Sequence, residues 1–219
     1  MTMNEKAPKL RIDIVSDVMC PWCVIGYRQL ATALETTGTP HEIQWHPFEL
    51  NVNMPPEGQL AREHLAEKYG TTKEQADANR LHIAQVGAEV GFEFRYNEDM
   101  RVHNTFNSHQ LLHWANEQGR MHDLKMALFT SHFTHQRNLS DDGVLADVAA
   151  EIGLDRDEAL AVLKDQRFAN EVRKAEIFWI NEGIHSVPAI IFNQLHLVSG
   201  AQGVENFTGM LNRLATLQD

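Results

Sequence analysis

The amino-acid sequence predicts an α/β protein in which a mixed β-sheet with flanking helices is interrupted by a large all-helical insertion. Near both ends of the chain, at residues 10–16 and 189–199, β-branched residues and short apolar runs are typical of strands. Between about residues 58 and 183, apolar residues recur at three and four positions, which is typical of amphipathic helices. We therefore predict a discontinuous sheet domain of residues 9–57 and 184–219 and an inserted helical domain of residues 58–183.

The first elements are predicted to be a strand, a helix and a second strand. Residues 10–16 (LRIDIVS) alternate apolar and charged side chains and form the first strand. Pro21 suits the first turn of a helix because its missing N–H costs nothing there, and an apolar helical face continues to Gly38. Residues 42–50 (EIQWHPFEL) are predicted as a second strand, in which Pro47 indicates an edge or an irregular end.

The insertion is predicted to contain five or six helices. Thr72 and Gln75 fit a capping box, and Ser140 and Asp155 are candidate N-caps. Residues 92–96 are predicted as a short extended link. The glycines that end helices are Gly91, Gly119, Gly153 and Gly183.

The C-terminal part is predicted to form a hairpin and a last helix. Two strands, at residues 189–192 and 195–199, are separated by Asn193 and Gln194 at hairpin spacing. The helix begins near Gly203, and its apolar stripe consists of Val204, Phe207, Leu211, Leu214 and Leu217. This order implies that the first two strands are parallel through a right-handed crossover and that the last two are antiparallel.

Composition limits the classes of partner. With 43% hydrophobic residues, the 219-residue chain can bury a sizeable core. Its formal net charge of −11 disfavours nucleic acid and anionic membranes as main partners. No apolar run approaches the roughly 20 residues of a membrane span. Residues 1–9 are polar and lack the apolar stretch of a secretory signal, so we expect a cytoplasmic protein.

The motif that indicates chemistry is Cys20-Pro21-Trp22-Cys23, at the junction of the first predicted strand and helix. These are the only two cysteines, so the chain alone can build neither a disulfide framework nor a four-cysteine zinc site. A thiol at the first turn of a helix is favoured as thiolate, and a second thiol one turn further on can close a disulfide with it. We predict that Cys20 is the exposed attacking sulfur and Cys23 the buried resolving one.

Two other interpretations of the cysteines remain, namely half of a zinc site or incidental core residues. A zinc site needs further ligands, and no histidine pair follows the cysteines at zinc-finger spacing. His109 with His113 and His132 with His135 have the spacing of one helix face, but ordinary helix surface is the favoured interpretation of both pairs. We predict no metal site.

A second signal is the Val187-Pro188 pair directly before a predicted strand. Proline is permitted at a strand entrance, and a proline in the cis form is a common device for turning a chain toward a site. Together with a C-x-x-C motif after the first strand, this pair is more specific than either signal alone.

Four blocks of residues, spread over most of the chain, carry a family resemblance. They are residues 16–26 (SDVMCPWCVIG), 45–51 (WHPFELN) with 54–55 (MP), 104–106 (NTF) with His109, Leu112, His113 and Trp114, and 183–188 (GIHSVP). With these blocks the chain resembles the DsbA-like thioredoxin-fold oxidoreductases, in particular the FrnE-like branch. The resemblance implies a thioredoxin-like fold with a helical insertion over the active site, and disulfide oxidoreductase or isomerase activity. It matches Cys20 and Cys23 to the redox pair and Pro188 to the cis-proline that faces it.

The residues around the cysteines set the expected reactivity. Where periplasmic DsbA proteins typically place a histidine, this chain has the neutral pair Pro21 and Trp22, so we expect a less acidic Cys20 and a milder oxidant. The chain also lacks the additional cysteine pair of some FrnE-like proteins. We expect Pro21, Trp22, Val187 and Pro188 to bind substrate, with helix-end packing as the alternative role of Trp22.

Polar residues nearby are weaker candidates. Asp17, three residues before Cys20, is a candidate for tuning the thiols or accepting a proton, and a cap or turn role is the alternative. His46, His103 and His109 are candidates for lining the cleft between the domains, although a structural role is favoured for each.

Three functions are compatible with these observations. The first is thiol–disulfide exchange with protein or peptide substrates, with no cofactor beyond the cysteine pair and with glutathione as a further candidate thiol partner. The second is a glutathione-dependent transferase or isomerase of the kappa or 2-hydroxychromene-2-carboxylate isomerase type, whose members usually have serine in place of Cys20. The third is a noncatalytic chaperone-like binding module. The oligomeric state is left open, with a homodimer as one option.

Overall fold

The protein is described by a computed structural model that covers residues 9–55 and 57–216. Its helices and strands, in chain order, are β1 (Leu10–Ser16), α1 (Pro21–Thr37), β2 (His41–Pro47), β3 (Gln59–Leu60), α2 (Ala61–Tyr69), α3 (Lys73–Glu89), β4 (Arg101–Val102), α4 (Phe106–Glu117), α5 (Met121–Phe133), α6 (Asp142–Glu151), α7 (Arg156–Asp165), α8 (Ala169–Asn181), β5 (Ala189–Phe192), β6 (His196–Ser199) and α9 (Val204–Thr216). Residues 1–8, on which the expectation of a missing signal segment mainly depends, and Leu217 of the predicted apolar stripe lie outside the described residues.

The main sheet has the predicted mixed topology, with the strand order β2-β1-β5-β6. Strand β1 pairs parallel with β2, with Ile12 opposite Ile43, and antiparallel with β5, with Ile14 opposite Ile190. Strands β5 and β6 form an antiparallel hairpin. The fold is that of a thioredoxin-like α/β protein.

The period of two in β1 separates its side chains onto the two faces of the sheet. Ile12 and Ile14 pack with Phe192, α1 and α9, where Phe207 of the α9 stripe is fully buried. On the opposite face, Val15 belongs to a smaller cluster against which Trp179 of α8 packs. The sheet is thus held between α1 and α9 on one face and α8 on the other.

The inserted segment has more elements than the five or six predicted helices. It contains seven helices, α2 to α8, among the described residues. It is also not entirely helical, because β3 and β4 form a two-stranded antiparallel ladder with Gln59 opposite Val102. Strands of two residues are too short to show a period in the sequence, which is why this ladder was not predicted. The core of the segment is a cluster that includes Leu111, Leu124, Leu128, Leu145 and Val162.

Cap and turn positions agree with the sequence except at two places. The Thr72–Gln75 capping box and the Asp155 cap are present. The N-cap of α6 is Asp141 rather than Ser140, because the Asp141 carboxylate accepts the Val144 N–H at 3.0 Å. The hairpin turn is longer than predicted and includes residue 195, so β6 begins one residue later than expected.

Two further expectations concern irregular segments and membranes. Residues 92–96 form neither helix nor strand, as the predicted link requires. None of the helices within the described ranges combines the length and the apolar character that crossing a bilayer demands.

Candidate functional site

The two cysteines lie at the start of α1, where β1 has just ended. Cys20 is the N-cap residue, with φ −92° and ψ 112°, and Pro21 occupies the first turn. The Cys20 N–H donates to the Asp17 carbonyl oxygen at 3.2 Å, and the Cys23 N–H donates to the Cys20 carbonyl oxygen at 3.1 Å. Both cysteines are free thiols. The helix therefore places the second thiol one turn after the first, as a redox pair requires.

The segment directly before β5 contacts Cys20. The Val187–Pro188 peptide bond is cis. The Cys20 thiol donates to the Val187 carbonyl oxygen, with Sγ and O 3.6 Å apart. Pro188 also lies close to α1, because a Cβ atom on Gly26 would stand 3.3 Å from the Pro188 Cγ. The structure thus brings together the two signals that are 167 residues apart in the chain.

Cys20 is covered, contrary to the expectation that its sulfur is exposed. Only 4% of the residue is accessible, and Cys23 is fully buried. Cys20 belongs to an apolar cluster, here called the cover, which joins Val24 and Ile25 of α1 to residues of α3, the 92–96 link and α5. Trp22 is half-buried at its margin, with its ring 5.9 Å from that of His82. The sequence shows that Cys20 starts a helix but does not show which helices pack on that start.

The acidity of Cys20 also differs from the expectation that the helix start favours its thiolate form. Hydrogen bonding with Cys23 and burial raise the pKa of Cys20, and the charge of Asp17 adds to this. Burial alone would raise the pKa of Cys23, but interactions with Cys20, the Ser16 hydroxyl and the Lys125 ammonium outweigh it and lower that pKa. Burial of the Cys20 sulfur therefore opposes the thiolate form that the helix start was expected to favour.

Asp17 is buried beside the pair and organises the backbone around it. Its Oδ1 accepts the Met19 N–H at 3.1 Å, and its Oδ2 accepts the Leu50 N–H at 2.7 Å. The Nε2 of His109 lies 3.8 Å from Oδ1. Burial raises the pKa of Asp17, but His109 and these two N–H groups outweigh it, so the carboxylate stays ionised. Asp17 accordingly combines a turn role with a fixed negative charge near Cys20.

Of the three candidate cleft histidines, His109 is the one that lies against Asp17, beside the cysteines. His46 hydrogen-bonds Asp13 at 2.8 Å and contacts the Trp179 ring, 4.7 Å away. His103 lies near the Ser140 hydroxyl, 3.2 Å away. Both therefore make structural contacts.

The pair His109 and His113 on α4, and the pair of His132 on α5 with His135 beyond its end, are not ordinary helix surface as expected. His109 and His132 are buried, whereas His113 is half-buried and His135 is exposed. Over residues 9–55 and 57–216, no group of three or more His, Cys, Asp or Glu residues is arranged to hold a metal ion.

Sequence reasoning missed Lys125, a buried lysine on α5 whose Nζ donates to the Ser16 carbonyl oxygen at 3.2 Å. The signal for it was present. Lys125 stands three and four residues before Leu128 and Phe129, on the apolar face of a helix where a lysine is out of place.

Comparisons with known proteins agree with this geometry. A family model described as a DSBA-like thioredoxin domain matches residues 11–212. The structure of a probable DsbA oxidoreductase from Streptomyces coelicolor is 34% identical, with a TM-score of 0.87 over 93% of this chain and 89% of that chain. The uncharacterized protein YwbO of Bacillus subtilis is 26% identical over 90% of this chain and 94% of its own length. The cytosolic disulfide reductase DsbM from Pseudomonas aeruginosa, solved with glutathione, shares the fold with a TM-score of 0.65 at 16% identity, over 94% of this chain and 99% of that chain.

Proposed function

The chain belongs to the family of DSBA-like thioredoxin domains, and we propose that it is a FrnE-like thiol–disulfide oxidoreductase whose redox pair is Cys20 and Cys23. The observation that carries the proposal is the position of the Cys20 sulfur, at the first turn of α1 and against the Val187–Pro188 segment. Cys23, one turn further on, is placed to resolve an intermediate formed at Cys20. No cofactor beyond this pair is needed.

The proposed reaction has two exchange steps. Cys20 loses its proton to solvent and attacks a substrate disulfide as a thiolate, which breaks the substrate S–S bond and releases one substrate thiolate. The released thiolate takes a proton from solvent. Cys23 then loses its proton and attacks the Cys20 sulfur, so that the Cys20–Cys23 disulfide forms and the second substrate thiolate leaves. The substrate gains two electrons and the pair loses two, and the reverse sequence oxidises a dithiol.

Protein or peptide disulfides are the proposed substrates, and Val187 is the residue proposed to receive them. Its carbonyl oxygen already accepts the Cys20 thiol in the resting state. A peptide that pairs with this backbone would bind with little dependence on its side chains. Because only 4% of Cys20 is accessible, substrate entry requires residues of the surrounding cluster to move.

Glutathione is proposed as a second thiol partner, in a cytoplasmic setting. The neutral residues Pro21 and Trp22 do not add a charge that would favour thiolate, which suits a mild oxidant, a reductase or an isomerase. A glutathione pool would tend to keep the pair reduced.

Insulin reduction by dithiothreitol tests the proposal. We expect the wild-type chain to accelerate insulin precipitation, Cys20→Ser to abolish the effect, and Cys23→Ser to accumulate mixed disulfides at Cys20 that mass spectrometry detects. The variant that carries both Cys20→Ser and Cys23→Ser is the control for a noncatalytic module. The holdase activity of such a module would survive the loss of both thiols. If the double variant kept full activity toward insulin, the proposal would be wrong.

The same variants separate this proposal from the glutathione-dependent enzymes. A kappa-type transferase or a related isomerase would retain glutathione-dependent turnover when Cys20 is replaced by serine. Finding turnover of that kind, without any disulfide exchange, would overturn the oxidoreductase assignment.

A further inference from the structure

Two buried polar atoms next to the cover have no hydrogen-bond partner in the described part of the chain, residues 9–55 and 57–216. They are the Nη2 atom of Arg80, on α3, and the hydroxyl oxygen of Tyr96, in the 92–96 link. Buried polar atoms in folded proteins are almost always paired, because an unpaired one loses its bonds to water without replacement. Such atoms are candidates for binding a polar group of a ligand.

Arg80 and Tyr96 lie together at the margin of the cover. The Cζ atom of the Arg80 guanidinium is 6.0 Å from the centre of the Tyr96 ring. That ring stacks on the ring of Phe94, with centroids 5.9 Å apart and planes 7° apart. Phe94 belongs to the same cluster as Cys20, and Tyr96 and Ala84 pack against this cluster. The pair therefore adjoins the residues that must move before a substrate reaches the Cys20 sulfur.

The charge of Arg80 is only weakly compensated by the described residues. Only 15% of its side chain is accessible, and its Nη1 lies 3.9 Å from the Oδ1 of Asp77. Asp77 has a closer cation, because its Oδ2 accepts a hydrogen bond from Lys73 at 3.0 Å. Burial raises the pKa of Tyr96, the charge of Arg80 opposes that effect, and a charge on Cys20 adds to it. The hydroxyl is therefore neutral near pH 7 and is able to donate a hydrogen bond.

A carboxylate is the ligand group that pairs both atoms at once. The planar N–H groups of a guanidinium match the two oxygens of a carboxylate, and these charge-assisted hydrogen bonds are stronger than neutral ones. A tyrosine hydroxyl donates to the same oxygens. The chain has a formal net charge of −11 and so repels anions in general, which means that an anionic substrate needs a local cation near the reacting sulfur.

We propose that Arg80 and Tyr96 form a carboxylate subsite beside Cys20, which selects disulfide substrates that carry a carboxylate near their sulfur atoms. Both side chains donate to that carboxylate once the cover has moved to admit the substrate. Glutathione and an acidic residue of a polypeptide are the two sources of such a group, and the chemistry of recognition is the same for both. The inference rests on the proposed function, to which it adds a class of substrate.

Oxidation of the reduced protein by two small disulfides tests the subsite. Glutathione disulfide carries carboxylates, whereas bis(2-hydroxyethyl) disulfide carries none. Arg80→Met is expected to slow the reaction with glutathione disulfide about tenfold, the scale for loss of a charge-assisted hydrogen bond, and to leave the neutral disulfide unaffected. Arg62→Met, at an exposed position on α2, removes the same charge and is expected to change neither rate. Equal slowing of both disulfides by Arg80→Met would overturn the inference.

Two further variants separate recognition from packing. Arg80→Lys keeps the charge but loses the planar set of N–H groups, so it is expected to recover part of the lost rate. Tyr96→Phe keeps the ring that stacks on Phe94 and removes only the hydroxyl. It is expected to slow the reaction with glutathione disulfide several-fold and to spare the neutral disulfide. A loss of the same size toward both disulfides would indicate a packing role and contradict the subsite.

Two pairs of substrates, used with the unaltered chain, identify the source of the carboxylate. One pair is glutathione disulfide and the same compound esterified at every carboxylate. The other is a peptide disulfide with glutamate or with glutamine beside the cysteine. Each rate is divided by that of the same disulfide with dithiothreitol, which removes differences in intrinsic reactivity. We expect the free carboxylate to react about tenfold faster in the pair that represents the source. Equal corrected rates within both pairs would overturn the inference.

Binding without exchange separates the subsite from the proposed function. The chain with Cys20→Ser and Cys23→Ser is titrated calorimetrically with S-methylglutathione and with the S-methylated glutamate peptide. Arg80→Met is expected to weaken the binding of one of them about tenfold, and Arg62→Met is not. If the wild-type chain exchanged no disulfides while this difference held, the proposed function would fail and the subsite would stand. If exchange proceeded and Arg80→Met changed neither binding nor rate, the subsite alone would be wrong.

Discussion

Asp17 is the side chain that connects the backbone near Cys20 with the segment after β2. One carboxylate oxygen accepts the Met19 N–H and the other accepts the Leu50 N–H. The same group contributes a negative charge that raises the pKa of Cys20. The sequence alone gives Asp17 either a turn role or a tuning role. Its contacts suit both roles, because a short loop places its carboxylate near the cysteines.

Asp17→Asn is expected to lower the pKa of Cys20, because the amide keeps a similar shape but removes the charge. In a Cys23→Ser background, the pH midpoint of alkylation by iodoacetamide should fall by up to about one unit. The midpoint reports acidity independently of how accessible the sulfur is. The control is Asp157→Asn, an exposed position on α7. A midpoint that stays the same or rises with Asp17→Asn would show that the charge does not act on Cys20.

Helix α3 contributes Ile83 to the apolar cluster that contains Cys20, and Gly87 sets how closely this helix approaches the 92–96 link. A Cβ atom on Gly87 would lie 2.4 Å from ring atoms of Phe94 and 2.9 Å from the Phe92 carbonyl oxygen. Both phenylalanines belong to the apolar cluster that covers Cys20. A methyl group at this position must therefore displace Phe92 and Phe94.

Gly87→Ala is expected to destabilise the fold by about 1–3 kcal/mol through this overpacking. It is also expected to make Cys20 react several-fold faster with iodoacetamide at fixed pH. Gly209→Ala in α9 is the control, since no atom lies within 4 Å of its added Cβ. It should stabilise slightly through helix propensity, by about 1 kcal/mol or less. Unchanged Cys20 reactivity in Gly87→Ala would mean that the cover does not limit access.

Elements with a strong local pattern were predictable from the sequence, and those created by packing were not. Strand β1 was predicted with its observed bounds, and α1 begins at Pro21 and ends before Gly38, because alternation, an N-terminal proline and a C-terminal glycine all act locally. The β3–β4 ladder depends on a partner about 40 residues away, so no local pattern marks it.

At the scale of the whole molecule, the site combines residues next to the main sheet with residues of the inserted segment. The sequence indicated this neighbourhood only through the family resemblance, which matches Pro188 to a proline that faces the cysteines. In the structure the Cys20 Sγ lies 3.6 Å from the Val187 carbonyl oxygen. The sequence did not predict the cover or Lys125, because both depend on how the inserted helices pack on α1 and β1. Contacts of the inserted helices with α1 and β1 can be identified only from the tertiary structure.

Neutral histidines that are buried or half-buried make the whole fold sensitive to acid. Burial lowers the pKa of His103 and His122, and lowers that of His132 to about 3. Because the folded pKa lies below that of the unfolded chain, about 6.5 for histidine, the unfolded state binds more protons as the pH falls. This stability is fully present above about pH 6.5 and is lost progressively toward pH 3.

Urea denaturation at pH 7 and pH 5 measures this loss. Each such histidine is expected to cost up to about 1.4 kcal/mol of unfolding free energy per pH unit below its unfolded pKa. His132→Phe should make the loss between the two pH values smaller, whereas His196→Phe, at an exposed position, should not. An equal loss in wild type and His132→Phe would show that His132 is not an acid-sensitive group.

The equilibrium of the reduced chain with glutathione redox buffers tests the central claim most directly. The fractions of free thiol, intramolecular disulfide and glutathione adduct are measured by mass spectrometry after acid quenching. We expect one two-electron transition to the Cys20–Cys23 disulfide, at a potential more reducing than the roughly −120 mV of DsbA. Glutathione adducts at Cys20 without any Cys20–Cys23 disulfide, in every buffer, would contradict the account.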